Sequence, residues 1–368
     1  MSTSTRMQSR TITEHDSAPI GPRLSLIGIT YRDLDTCLDS VAGLGDGKRS
    51  TEMAVGFGGF PLNAARAAVA ALPAGSVHVV TVVPWAEFPA LSRAMPDEVV
   101  FDAILAGHDP SLRLPNSLVF SDAAQDRRTI LKGHHTMHDW LSPAFIPQGA
   151  LQAPVVAVGR IPETPARELQ RHCLRLGTWF AWCGGSSLPL ELEADCQVLL
   201  VDRDEAVELL GLERPHSTSD MALALATRAQ VRSAVRVVTG GGSEPTAVVL
   251  DAGNRWDCLE GDQVTVDDPK HPKGAGDTFA ARFLATVFSD PSAPLHPAEL
   301  ARALQHARFA AAAYVATGQH ATPGEVEAAI ASRGDYRGIG KRAIRLWSVP
   351  KPLSRVSVGP VWECLSRP

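Results

Sequence analysis

The chain has 368 residues, of which 45% are apolar and 20% charged, and its formal net charge is −5. That length can bury a large core as one big domain or two smaller ones. The weak acidity excludes the basic footprint that nucleic acid or an anionic membrane demands, and no apolar run is long enough to span a bilayer.

The six cysteines, Cys37, Cys173, Cys183, Cys196, Cys258 and Cys364, form no C-x-x-C pair. Their spacing matches neither a zinc site nor a small disulfide scaffold, so reduced thiols in a cytoplasmic protein are expected. Residues 1–22 are rich in Ser and Thr in their first part and lack an apolar signal core. They read as a disordered tail.

Leu24–Thr30 is a short apolar run ending in small residues, a buried first strand. Asp33 follows just past its C-terminal end, where open α/β sheets bind ligands; a loop or capping acid is the plain alternative. Residues 41–52, with three glycines, Lys48 and Arg49, suggest an exposed loop or hairpin. Gly56, Gly58 and Gly59 then suit a tight turn and close approach to a ligand. The Ala-rich run after them predicts a helix, and Asn63 near its start carries two donors and an acceptor for a hydroxylated ligand, or caps the helix.

Val77–Val83 predicts a second core strand. Ser117–Phe120 and Arg127–Leu131 predict a strand pair outside the main core. His134, His135 and His138 lack a fourth ligand at a recognisable spacing and read as loop residues. Val155–Gly159, Thr178–Trp182 and Cys196–Val201 predict further strands, with a helix over Pro165–Leu176. Asp202–Gly211 joins a strand end to an acid-rich helix start. Glu205 there faces the crevice as a water-mediated Mg²⁺ ligand, or closes a capping box with Asp202. Val235–Thr239 runs into Gly240, Gly241 and Gly242, a turn that suits a nucleotide phosphate or base, or a plain hairpin. Long helices are expected over Ala298–Thr317 and Pro323–Ser332, and residues 334–368 lie outside the core pattern.

Residues 273–288 carry the sharpest signal. Gly274-Ala275-Gly276 precedes Asp277, and Phe279, Phe283 and Val287 follow near the helical period. The turn therefore opens a buried helix, where unpaired N–H groups and the dipole favour an anion. An acid beside such a site has the geometry of phosphoryl transfer, accepting a proton from the attacking hydroxyl. An N-cap acid is the plain alternative. Strands alternating with helices imply a mostly parallel sheet covered on both faces.

These pieces, in this order, resemble the ribokinase-like (PfkB) carbohydrate and nucleoside kinases over roughly residues 24–332. Gly58-Gly59 through Asn63 is similar to the family's N-terminal signature, and Gly274–Asp277 with Phe279 to its C-terminal one. Gly28 with Asp33, Asp202-x-x-Glu205, and Thr239 with its glycines are similar to three further family elements. The resemblance implies a three-layer α/β/α sandwich with a small β lid drawn from about 31–58 and 110–132. It implies an ATP-dependent kinase with Asp277 as general base and Gly274, Ala275 and Gly276 as anion hole. Asp33, Gly58, Gly59 and Asn63 would bind the hydroxyls of a small sugar or nucleoside, with Arg128 reaching in from the lid. Glu205 would support Mg²⁺, ATP would lie near Thr239–Gly242, and Lys273 would add positive charge for the phosphate. A homodimer through the lid is left open. The residues preceding Gly274 depart from the family: His271-Pro272-Lys273 stands where Asp-Thr is usual, and Asp202 replaces an Asn. A non-catalytic sugar- or nucleotide-binding protein with the same fold is the competing reading, and a nicotinamide dehydrogenase lacks the required fingerprint.

Overall fold

Leu24–Ile29 is buried along its whole length, as an apolar run must be when both faces of a sheet are covered. In a computed structural model of the chain it forms β1 (Leu24–Ile29). The described residues are 22–38, 52–106, 112–122, 127–133, 136–184, 190–214, 216–242, 244–266, 269, 271–290, 295–331 and 344–351. From β1 the chain passes through Thr30 into β2 (Tyr31–Leu38), then β3 (Glu52–Gly58), α1 (Phe60–Val69) and β4 (Val77–Val83). Next come α2 (Phe88–Ala94), β5 (Val100–Leu105), β6 (Asn116–Asp122), β7 (Arg127–Lys132) and the short α3 (Gln148–Leu151). The chain continues through β8 (Val155–Val158), α4 (Glu163–Leu176), β9 (Trp179–Cys183), α5 (Leu190–Asp195), β10 (Val198–Asp202), α6 (Arg203–Leu210) and α7 (Thr218–Arg228). It ends with β11 (Val235–Thr239), β12 (Thr246–Asp251), β13 (Arg255–Gly261), α8 (Ala275–Val287), α9 (Pro297–Thr317), α10 (Pro323–Ala331) and β14 (Ile344–Pro350).

Ten strands make the main sheet, in the order β14-β13-β12-β11-β10-β9-β8-β1-β4-β5. Neighbours from β11 to β5 are parallel, and those from β11 out to β14 are antiparallel. Successive residues of a strand point to opposite faces, so Leu26 meets one helical layer and Ile27 the other. The Leu26 side holds Leu62 of α1, Phe279 and Phe283 of α8 and Leu300 and Leu304 of α9. The Ile27 side holds Leu169 of α4, Leu192 of α5 and Met221 and Leu225 of α7. Burying each such side chain is worth roughly 1.5–3 kcal/mol, so the two layers are held by these faces rather than by helix propensity. This is the expected α/β sandwich with a mostly parallel sheet.

A second sheet of four strands, in the order β3-β2-β6-β7, is separate from the first. β2 and β6 pair in parallel and the outer strands antiparallel. Alternation puts Asp33, Asp35, Ser117 and Val119 on one side and Leu34 and Leu118 on the other.

Several local expectations change. The chain enters β2 at once after Thr30, so Asp33 is a strand residue rather than part of a loop. Residues 53–58 lie within a strand instead of a turn, because β2 supplies the partner for a glycine-rich segment. Most of the loop expected over 41–52 lies outside the described residues, as do His134 and His135, while His138 sits in a single 3₁₀ turn. β13 was not legible as a strand. It pairs on its far edge with β14, so residues 344–350 extend the main sheet rather than standing apart from it. Their Arg, Trp and Ser side chains suit an edge strand with one wet face.

Candidate active site

α8 begins at Gly274, whose φ of 83° is left-handed and comfortable only without a side chain. The Thr278 N–H donates to the Gly274 carbonyl at 2.8 Å, which fixes the first turn. Ala275 gives its N–H to the Pro272 carbonyl at 3.3 Å. The N–H of Gly276 is left outside the helical ladder, at the positive end of the dipole. Behind this turn, Phe279 and Phe283 stack at 6.0 Å, anchoring α8 in the core.

α1 begins on the other side of the same space. Gly59 precedes it and Pro61 occupies its first turn, where a missing N–H costs nothing. Asn63 thus stands one turn into α1, and its Nδ2 donates to Asp277 Oδ2 at 2.8 Å. The amide expected to hold a ligand hydroxyl also orients the carboxylate.

Asp33 comes from the small sheet and is 3% exposed. A Cβ at Gly58, its cross-strand neighbourhood on β3, would fall on the Asp33 carboxylate, so only glycine allows that close approach. Burial pushes the Asp33 pKa up, and the hydrogen bonds and charge of Lys273 together with the Ser117 hydroxyl act against this. Lys273 Nζ lies 2.7 Å from Asp33 Oδ2 and 2.7 Å from both oxygens of Asp35. The lysine expected to face a phosphate therefore crosses from the loop before α8 to β2.

These groups face one cavity of about 250 Å³. Asp33, Gly59, Asn63, Lys273, Gly274, Asp277 and Glu205 all line it. So do residues the sequence reading missed: Tyr31, Ser117, Gly159, Arg160, Cys183 and Gly184. Gly159 and Arg160 follow β8, Cys183 ends β9 and Gly184 follows it. The rule that ligands sit at the C-terminal ends of parallel strands would have found both pairs. Burial holds the Cys183 thiol well above its usual pKa, so it stays a neutral wall of the cavity. The Tyr31 hydroxyl is also pushed up by burial, opposed by the charge of Arg160.

Glu205 closes the capping box. Its backbone N–H donates to Asp202 at 2.8 Å and its side chain accepts from the Asp202 N–H at 3.0 Å, a complete capping box. Its carboxylate nonetheless lines the cavity. Among the described residues no group of three or more His, Cys, Asp and Glu side chains is close enough together to hold a metal ion.

Thr239, Gly240, Gly241 and Gly242 are not among the residues facing this cavity. They end β11 and open the turn to antiparallel β12, the hairpin alternative. Gln263 Nε2 donates to the Gly242 carbonyl at 2.7 Å across that turn. Arg128 lies in β7, with its side chain outside the described atoms.

No family model and no curated protein matches the chain. Solved structures do. Ribokinase from Giardia lamblia matches with a TM-score of 0.69 at 17% identity, over 84% of this chain and 99% of that one. Ribokinase from Arabidopsis thaliana, complexed with ribose and ATP, matches with a TM-score of 0.62 at 16% identity over 84% and 98%. Phosphofructokinase-2 from Escherichia coli, in its tetrameric inhibited form, matches with a TM-score of 0.59 at 15% identity over 83% and 97%. The chain thus has the fold of the ribokinases and of phosphofructokinase-2.

Proposed function

We propose that the protein is a member of the ribokinase-like carbohydrate kinases and transfers the γ-phosphate of ATP to a hydroxyl of a small sugar or nucleoside. The observation that carries this reading is the Asn63–Asp277 bond at the first turn of α8, in the same cavity as the buried Asp33. A carboxylate held still beside a helix N-terminus can take the proton of an attacking hydroxyl while N–H groups receive charge from the phosphoryl oxygens.

In this reading Asp33 orients the acceptor, Asn63 holds Asp277, and Asp277 removes the proton from the reacting hydroxyl. The turn at Gly274–Gly276 stabilises the negative charge that develops on the transferred group. Glu205 suits Mg²⁺, since that ion keeps most of its waters and needs only one or two protein carboxylates. When bound, the ion neutralises phosphate charge. The small sheet acts as a lid that excludes water from the cavity. The nucleotide's position relative to Thr239–Gly242 belongs to the same proposal.

The partner expected of such a lid is a second copy of the chain. Val55, Leu34, Leu118 and Leu131 are successive cross-strand neighbours on its outer face, and Val55 is 67% exposed. Leu118→Lys should shift a dimer to monomer in sedimentation analysis.

Purified protein offered ATP and a panel of sugars and nucleosides should form ADP with at least one acceptor. Asp277→Asn should lower turnover by roughly 10²–10⁴-fold while ATP still binds. Unchanged turnover in that variant would overturn the assignment.

A further inference from the structure

The charge around Lys273 bears on what the acceptor can be, given the kinase reading above. The Lys273 ammonium is a three-proton donor. It lies 2.7 Å from Asp33 Oδ2 and is straddled by both oxygens of Asp35 at 2.7 Å. Two carboxylates thus face one cation, which leaves that end of the cavity with a net negative charge. Among the described residues, Glu205 and Asp277 add two more carboxylates to the lining, against the guanidinium of Arg160. A phosphate placed near Asp33 would meet no uncompensated lysine there. A neutral hydroxyl fits: it can donate to Asp33, whose carboxylate the ammonium holds in place.

We infer that Asp35, acting through Lys273, is a specificity-determining residue that restricts the acceptor to uncharged polyhydroxyl compounds and rejects phosphorylated sugars. Asp35 is suited to this because it is dispensable for shape. Its side chain is 38% exposed, against 5% for that of Asp33, and it acts on the cavity through the ammonium it shares and through its own charge beside Asp33. Specificity of this kind is a difference of two affinities, achieved by withholding a cation from the wrong ligand.

The test compares fructose with fructose 6-phosphate, and ribose with ribose 5-phosphate. Binding is read by isothermal titration calorimetry and turnover by ADP release. The wild type should bind the neutral member of at least one pair more tightly. Asp35→Asn leaves the ammonium less compensated, so the ratio of phosphorylated to neutral affinity should rise roughly tenfold, and the gain should shrink with added salt. Lys273→Met should lose the neutral sugar without gaining the phosphorylated one. Tighter binding of the phosphorylated sugars by the wild type, an unchanged ratio in Asp35→Asn, or no binding of any of the four compounds would overturn the inference. Binding in the expected ratio without ADP release would instead overturn the kinase reading and leave the recognition assignment standing.

Discussion

Asn63 on α1 and Asp277 on α8 are 214 residues apart in sequence and joined by one 2.8 Å hydrogen bond. The bond uses the amide as donor, so it selects the ionised carboxylate. Asn63→Asp would set a second carboxylate against Asp277, and like charges at that distance raise an acid's pKa. The acidic limb of the rate profile should move to higher pH, and turnover near neutrality should fall. Asn63→Ala should lower turnover without that displacement. Kinetics across pH distinguish the two variants.

Gly58→Ala tests the packing of Asp33. The added methyl would overlap the Asp33 carboxylate, and the backbone there is held by the pairs Tyr31–Gly58, Arg32–Phe57 and Asp33–Gly56. Asp33 must therefore move rather than the backbone. KM for the acceptor should rise by roughly tenfold or more, with a smaller effect on the ATP dependence. An unaltered KM would separate Asp33 from acceptor binding.

Gly274→Ala tests the turn. A side chain at φ 83° costs about 1–2 kcal/mol in backbone strain. Space is adequate, since the nearest atom to the new Cβ is the Tyr314 hydroxyl at 3.4 Å. The expected result is a modest loss in urea midpoint and a larger loss of kcat, because the turn would relax away from its anion-binding form.

His320 predicts a pH dependence of stability. It stacks on Tyr314 with ring centroids 4.7 Å apart, its Nδ1 is buried without a hydrogen-bond partner, and burial together with Arg66 and Arg282 lowers its pKa from 6.5 to about 4. In this window the unfolded chain binds the proton and the folded chain does not. Stability therefore rises with pH from about 4 to 6.5 and is lost on acidification through the same range, by up to about 3 kcal/mol. His320→Gln should flatten that part of the curve of urea midpoint against pH.

Removal of residues 332–368 should expose the β13 edge, which pairs with β14 along seven residue positions from Arg255 to Gly261. It also removes Lys351, whose Nζ lies 2.6 Å from Asp251 and 5.4 Å from the Trp256 ring centroid. A lower melting temperature and self-association are expected, since an uncovered edge strand is a template for pairing. Light scattering on the truncated chain checks this.

The readable parts of the sequence were those that short-range physics dictates. Leu24–Ile29 and Val77–Val83 are continuous apolar runs that only a doubly covered sheet can hold, and Gly274–Asp277 opens a helix whose buried face is written in Phe279, Phe283 and Val287. The direction of Lys273 was not readable, because it depends on where β2 lies, and β2 is some 240 residues earlier in the chain. Asn63 pointed to a ligand when considered alone, and its bond to Asp277 exists only because α1 and α8 pack together. β14 was obscured by its pattern: Leu346 and Trp347 are adjacent, which breaks the alternation begun by Ile344 and Leu346, so Ile344–Pro350 carries no strong period.

Two of the small sheet's four chain connections to the main body are at Thr30, between β1 and β2, and at Gly59, between β3 and α1. The two joints touch: a Cβ at Gly59 would lie 3.3 Å from the Thr30 Cα and 2.5 Å from the Ile29 carbonyl oxygen. Thr30 is itself pinned, its N–H and hydroxyl both 3.1 Å from the Thr81 hydroxyl on β4. These two single-residue joints lie side by side, so they set a natural axis for the sheet. Rocking about that axis would swing Asp33 and Asp35 through an arc while pulling on the first turn of α1. Any motion of the sheet would then be felt at Asn63, and through it at Asp277, without a separate messenger.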